Sequence, residues 1–223
     1  MSAYHPDDMT LMNYAAGSLS IPQALAVSMH LCFCHECRDL VKNFNHLGGA
    51  LLETIKPAST EDDAFDSLMA SLEPHDHSEA PKVKMDMGSA EKITQHFSNP
   101  LLRYLPTSLA DLPWQRQTKE ISKFDLTALL NVKGFQVALQ KINAGAKVPT
   151  HTHKGFEYTV ILSGGFSDEL GVYHEGDFIA RDTSHKHSPT ALQNEDCICL
   201  TVLNAPLKFT GWHRVLNPFM AWS

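Results

Sequence analysis

Two groups of side chains in this chain have the types and spacing of metal ligands. The first lies in His30-Leu-Cys-Phe-Cys34-His-Glu-Cys37. The second is Gly145-x5-His151-x-His153-x3-Glu157-x6-Gly164, with His187 thirty-four residues after His153. Two thiolates and two imidazoles in a closed tetrahedron favour zinc. Three imidazoles and one carboxylate suit zinc, iron, manganese, nickel or copper, so the donor set does not name the metal.

In the first group, Cys34 and Cys37 stand three residues apart where a helix begins, which puts both sulfurs on one face about a turn apart. A helix N-terminus and a bound metal both stabilise thiolates. His30 precedes them near the end of the preceding helix. A closed zinc site needs a fourth ligand. His5 is the expected one, because it sits just before the first helix and can fold back across the others; Cys32 and His35 compete. The competing reading is a set of free, buried cysteines beside unrelated histidines, or a redox pair.

In the second group, His151 and His153 alternate, so on a strand both face one side. Glu157 follows across a short turn, and a fourth ligand must come from a later strand. The spacing resembles the first cupin motif, G-x5-H-x-H-x3-E-x6-G, without a gap. The second motif, G-x5-P-x-G-x2-H-x3-N, is weaker. Aligned on Gly176, it meets Asp182, Ser184, His187 and Ala191. His187 keeps the spacing and is the expected fourth ligand, with His185 its rival. The competing reading is a barrel with a vestigial site. Other candidates carry less. His75 and His77 read as linker histidines, and His174 and His213 as surface or rim residues. Cys197 and Cys199 read as small core hydrophobes, and Trp114 and Trp212 as core or rim aromatics.

The elements that must position these groups change character along the chain. Asp7–Ala16 reads as a short helix closed by Gly17. Ser20-x-x-Gln23 is a capping box opening a second helix to about Leu31. A third starts near Cys34, carries Leu40, Phe44, Leu47, Leu51 and Ile55 on one face, and stops at Pro57. Thr60 caps a fourth, striped by Ala64, Leu68 and Leu72. Residues 73–106 read as a linker, with a strand or short helix in 83–106 that the pattern does not place. From about Ala110, short alternating runs with glycine turns predict a sandwich or barrel. The expected architecture is α+β in two domains: four zinc-binding helices over 1–72, and a cupin β-barrel over 107–223.

Composition excludes several classes. No run approaches the ~18 apolar residues of a membrane span. The N-terminus lacks the basic and apolar segments of an export signal, and three of the five cysteines crowd into 32–37 rather than forming a disulfide framework. Both point to the cytoplasm. Residues 1–80 carry three basic side chains against twelve acidic ones; the remainder carry fifteen against thirteen. An acidic N-terminal half disfavours direct nucleic-acid binding and suits a partner with a basic surface.

His30, Cys34 and Cys37 as H-x3-C-x2-C between two helices, with His5 upstream, resemble the zinc-binding anti-sigma factors. Followed by a cupin motif, the order resembles the ChrR type of that family over nearly the whole chain. The resemblance implies an N-terminal domain that holds an extracytoplasmic-function (ECF) sigma factor away from RNA polymerase. It also implies a cupin domain needed for release under singlet oxygen or related oxidants, and no catalysis. It places zinc at His5, His30, Cys34 and Cys37, and zinc or another divalent transition metal at His151, His153, Glu157 and His187. The alternative is a cupin metalloenzyme, a dioxygenase or isomerase acting on a small molecule.

Overall fold

The computed structural model describes residues 2–59, 61, 63–72 and 100–209. Helix α1 (Asp8–Ala15) is capped by Asp7, whose carboxylate accepts from Thr10 N–H at 2.6 Å. Helix α2 (Ile21–Phe33) begins with Pro22 in its first turn, and Gln23 Oε1 accepts from Ser20 N–H at 3.3 Å, one half of the expected capping box. It runs two residues past Leu31. The chain turns at Cys34, which is extended and caps α3 (His35–Glu53) by accepting Cys37 N–H on its sulfur. Helix α4 spans Ala64–Ser71. The expected cap Thr60, residues 73–99 of the linker with His75 and His77, and Trp212 and His213 lie outside the described residues.

The C-terminal part is built from strands. β1 (Gln115–Arg116), β2 (Ile121–Asp125), β3 (Gln136–Ile142), β5 (Glu157–Ser163), β8 (Phe178–Arg181) and β11 (Cys197–Leu203) form one antiparallel sheet in the order β1-β2-β3-β11-β5-β8. β4 (His151–His153) lies between β9 (Lys186–His187) and β12 (Leu207–Phe209). β6 (Gly165–Asp168) lies between β7 (Gly171–His174) and β10 (Thr190–Ala191). A short helix, α5 (Thr127–Leu130), links β2 to β3. Among the described residues the cupin-like fold is therefore three sheets rather than one closed cylinder.

The two faces of the large sheet do different work. Val137, Leu139, Val160, Leu162, Leu200 and Val202 form its outer face and are buried. Their cover is α2, which lies on β5 and β11. Leu25, Ala26, Val27 and Met29 of α2 join those strand residues in one continuous core. This explains why α2 is apolar around most of its circumference: α3 and the sheet bury it from different sides. The end of the expected linker joins this core too. A 3-10 turn at Pro100–Arg103 sets Leu101, with no exposed surface, against α2.

The apolar stripe of α3 behaves otherwise. Leu40 and Phe44 pack against the core, and Val41 is buried. Leu47, Leu51, Leu52 and Ile55 are exposed. α4 buries none of its residues, and Phe65, Leu68, Met69 and Leu72 all face out.

Candidate metal centres

The turn between α2 and α3 brings the first group together. His5, His30, Cys34 and Cys37 each offer one ligand atom, all within 4.8 Å of one another. His5 Nδ1 lies 3.4 Å from each cysteine sulfur, and His30 Nε2 lies 3.3 Å from Cys37 Sγ. Zinc bonds of about 2.0 Å to nitrogen and 2.3 Å to sulfur give a tetrahedral N···S edge of roughly 3.5 Å, so the cluster fits the ion. His30 donates its Nδ1–H to Gly176 O at 2.7 Å, which leaves Nε2 unprotonated towards the sulfurs. Burial holds the His30 imidazole down at about 4 and, with the neighbouring Cys34, pushes the Cys37 thiol up to about 12. A desolvated thiol of this kind is ionised by a cation in place of its proton. The competitors point elsewhere. Cys32 donates to Ser28 O, and His35 is exposed on the first turn of α3.

The second group converges from three strands. β4 supplies His151 and His153, β5 supplies Glu157, and β9 supplies His187, whose Cα pairs with that of His151. All four are buried and their ligand atoms lie within 4.8 Å of one another. His153 Nε2 and His187 Nε2 are 3.2 Å apart. Pro149 O, 2.8 Å from His151 Nδ1, and Asp168 Oδ2, 2.9 Å from His187 Nδ1, fix those two rings with Nε2 facing inward. Burial lowers the pKa of His151, and that of His153 to about 4. Glu157 Oε2 lies 3.3 Å from His153 Nδ1 outside hydrogen-bonding geometry, and both atoms are buried without a hydrogen-bond partner. A buried carboxylate oxygen left unpaired among neutral imidazoles is costly, and a divalent cation would satisfy it. His185 stands apart, its Nδ1 2.8 Å from Asp182 Oδ1 on the surface.

Residues that the spacing did not single out surround the second group. Asp168 has a fully buried side chain. Its Oδ1 accepts from Leu170 N–H, Gly171 N–H and the Tyr173 hydroxyl; its Oδ2 faces His187 and Arg181. Hydrogen bonding to His187 and the Arg181 charge outweigh burial, so its pKa stays below the usual carboxylate range. A cavity of about 620 Å³ opens beside the group, lined in part by His151, Glu157, His187, Lys123, Gln136 and Gln140. Of the remaining candidates, Cys197 and Cys199 are buried free thiols, His174 is exposed, and Trp114 packs against the core.

Residues 105–206 match the family model of the ChrR cupin-like domain. Over 218 residues the chain is 33% identical to the anti-sigma-E factor ChrR of Cereibacter sphaeroides, covering 97% of each protein. The chain belongs to the ChrR anti-sigma factor family. Its fold superposes on the crystal structure of Rhodobacter sphaeroides SigE in complex with the anti-sigma ChrR. The TM-score is 0.73 and the identity 30%, over 91% of this chain and 100% of that one. Helices followed by a cupin-like sheet are thus the architecture of the family. Among the described residues, no helix is long and apolar enough to cross a membrane.

Proposed function

We propose that this protein is an anti-sigma factor that sequesters an ECF sigma factor in the cytoplasm and releases it in response to singlet oxygen or related oxidants. The observation that carries the reading is the open apolar surface of α3 and α4. Leu51, Leu52, Ile55 and Phe65 are 58–70% exposed, in line with Leu47, Leu68, Met69 and Leu72. Large apolar side chains exposed along a helix in this number mark a protein-binding surface. Gly48 and Gly49 lie on the same half of α3, and a Cβ at either would meet nothing within 4 Å. Packing among the described residues therefore does not require them, and close approach by a partner helix accounts for the pair. The acidic N-terminal half suits the basic polymerase- and DNA-facing surfaces of a sigma factor. The related ChrR has been crystallised with SigE.

In this reading zinc held by His5, His30, Cys34 and Cys37 pins α1, α2 and α3 into the binding-competent arrangement. The cupin group, holding zinc or another divalent transition metal, serves as the sensor. His151 and His187 border the 620 Å³ cavity, where a small oxidant meets electron-rich rings. Co-expression with an ECF sigma factor from the same genome should yield a complex. Irradiating that complex with a singlet-oxygen sensitiser should dissociate it. A complex that survives oxidation would remove the sensor role while leaving the sequestering role.

The polar walls of the cavity favour one second reading, a metalloenzyme acting on a small molecule. Among the described lining residues the cation is Lys123, and Asp125 already engages it at 2.9 Å, which weakens it as a clamp for an anionic substrate. Turnover of a small-molecule panel by the iron-loaded protein would favour this reading.

A further inference from the structure

Residues 2–5 form a strap that begins on the cupin sheet and ends in the cysteine–histidine cluster. Ala3 N–H and Tyr4 N–H both donate to Asp177 Oδ1, at 2.7 and 3.2 Å, and Phe178 N–H donates to Tyr4 O at 3.0 Å. Asp177 is 1% exposed, and its other oxygen accepts from His174 N–H. The Tyr4 ring lies 4.6 Å from that of Tyr173. The next residue is His5, aimed at both sulfurs.

The strap also reaches the other group. Tyr173 is buried and donates its hydroxyl to Asp168 Oδ1 at 3.1 Å. Asp168 Oδ2 accepts from His187 Nδ1 at 2.9 Å. His5, Tyr4, Tyr173, Asp168 and His187 therefore form an unbroken series of bonded or touching groups. Asp168 joins His187 to Tyr173 directly, and Leu170 N–H, Gly171 N–H and Arg181 fix the carboxylate between them.

We propose that this strap couples the two metal sites. The element with two states is the strap itself, docked on Asp177 and Tyr173 or released from them. Docking presents His5 to Cys34 and Cys37, and a fixed His187 favours docking by holding Asp168 and Tyr173 in place. Each metal then strengthens the hold on the other, since such linkage is reciprocal. Of the four ligands in the first cluster, His5 alone is exposed. It is the ligand placed to leave first. Damage or metal loss at His187 thus reaches the cluster that organises the helices without opening the shared core. The inference rests on both clusters holding metal.

The test uses the full-length protein reconstituted with zinc. Zinc content is measured first, then the rate of zinc transfer from the cysteine cluster to a chromogenic chelator. His153→Gln removes a cupin ligand that borders His187 and leaves all five members of the series unsubstituted. It should speed zinc loss from the cysteine cluster, by about 5- to 150-fold where the whole coupling free energy between the sites is expressed in release. Tyr173→Phe keeps the ring but deletes the bond to Asp168. In that background, His153→Gln should no longer change the rate. Tyr4→Leu should behave as Tyr173→Phe does. The proposal is overturned if His153→Gln leaves the rate unchanged, or if its effect persists in both tyrosine variants. A reconstituted protein with no zinc at either site would instead overturn the metal assignment beneath it.

Discussion

His30 donates its Nδ1–H to the backbone carbonyl of Gly176 across 2.7 Å, so a histidine of the helical cluster is oriented by a turn of the cupin sheet. Gly176 itself has φ of +89°, and a Cβ there would stand 2.7 Å from Phe33 Cβ and 2.8 Å from Ser2 Oγ. Gly176→Ala should therefore destabilise the protein by about 1–3 kcal/mol, the cost of a side chain in this region of backbone space. It should also weaken zinc retention by the cysteine cluster. Thermal unfolding and zinc analysis of the same preparation check both.

Cys34→Ser and Cys37→Ser should each remove about one zinc per chain and abolish partner binding, because metal ligation and local folding are coupled. His151→Ala should remove the cupin metal and leave a partner complex that still forms in unstressed conditions. Elemental analysis with a binding assay separates the two outcomes.

Asp168→Asn keeps the shape of the side chain and removes the charge that faces His187 Nδ1. Its cost should appear as a 10- to 100-fold loss of divalent-metal affinity at the cupin site, the usual effect of removing the outer partner of a ligating histidine. Competition titration against a chelator of known affinity measures it.

The metal-free protein should lose stability in mild acid. His30 and His153 both have folded pKa values near 4, below the ordinary 6.5, because burial disfavours their charged forms. Between those limits the unfolded chain binds more protons than the folded one. The stability they contribute is therefore complete above about pH 6.5 and falls as the pH drops towards 4. Denaturant titrations of metal-free protein across this range should show the loss, and His30→Gln should reduce it.

The exposed stripe gives a prediction that does not depend on metal. Leu51→Asp or Phe65→Asp changes an exposed side chain outside the core of the described residues, so stability should move by less than about 0.5 kcal/mol. Partner affinity should fall by about 30-fold or more if these residues are centres of the interface. Equal losses of stability and binding would remove the stripe from the binding surface.

Much of this was legible in the sequence because ligand spacing and helix signals are local. His30, Cys34 and Cys37 sit within eight residues, and Ser20 and Gln23 mark the entry to α2 by themselves. The cupin group was readable because alternation on a strand fixes which side His151 and His153 share. What could not be read depends on contacts distant in sequence. Asp168 has no motif, and only the fold sets it behind His187. Asp177 takes its partners from 173 and 174 residues away. The stripe of α3 showed which residues are apolar. It did not show that Leu47, Leu51 and Ile55 are exposed, because periodicity looks the same for a core and an interface. The shared core of α2 and the large sheet was hidden for the same reason.

The most direct test of the central claim is size-exclusion chromatography of the full-length, zinc-loaded protein with an ECF sigma factor from the same genome. The expected result is a stable complex that keeps the sigma factor from RNA polymerase and comes apart after exposure to singlet oxygen. If every ECF sigma factor of that genome elutes apart from the protein and stays free to bind polymerase, the anti-sigma account is contradicted.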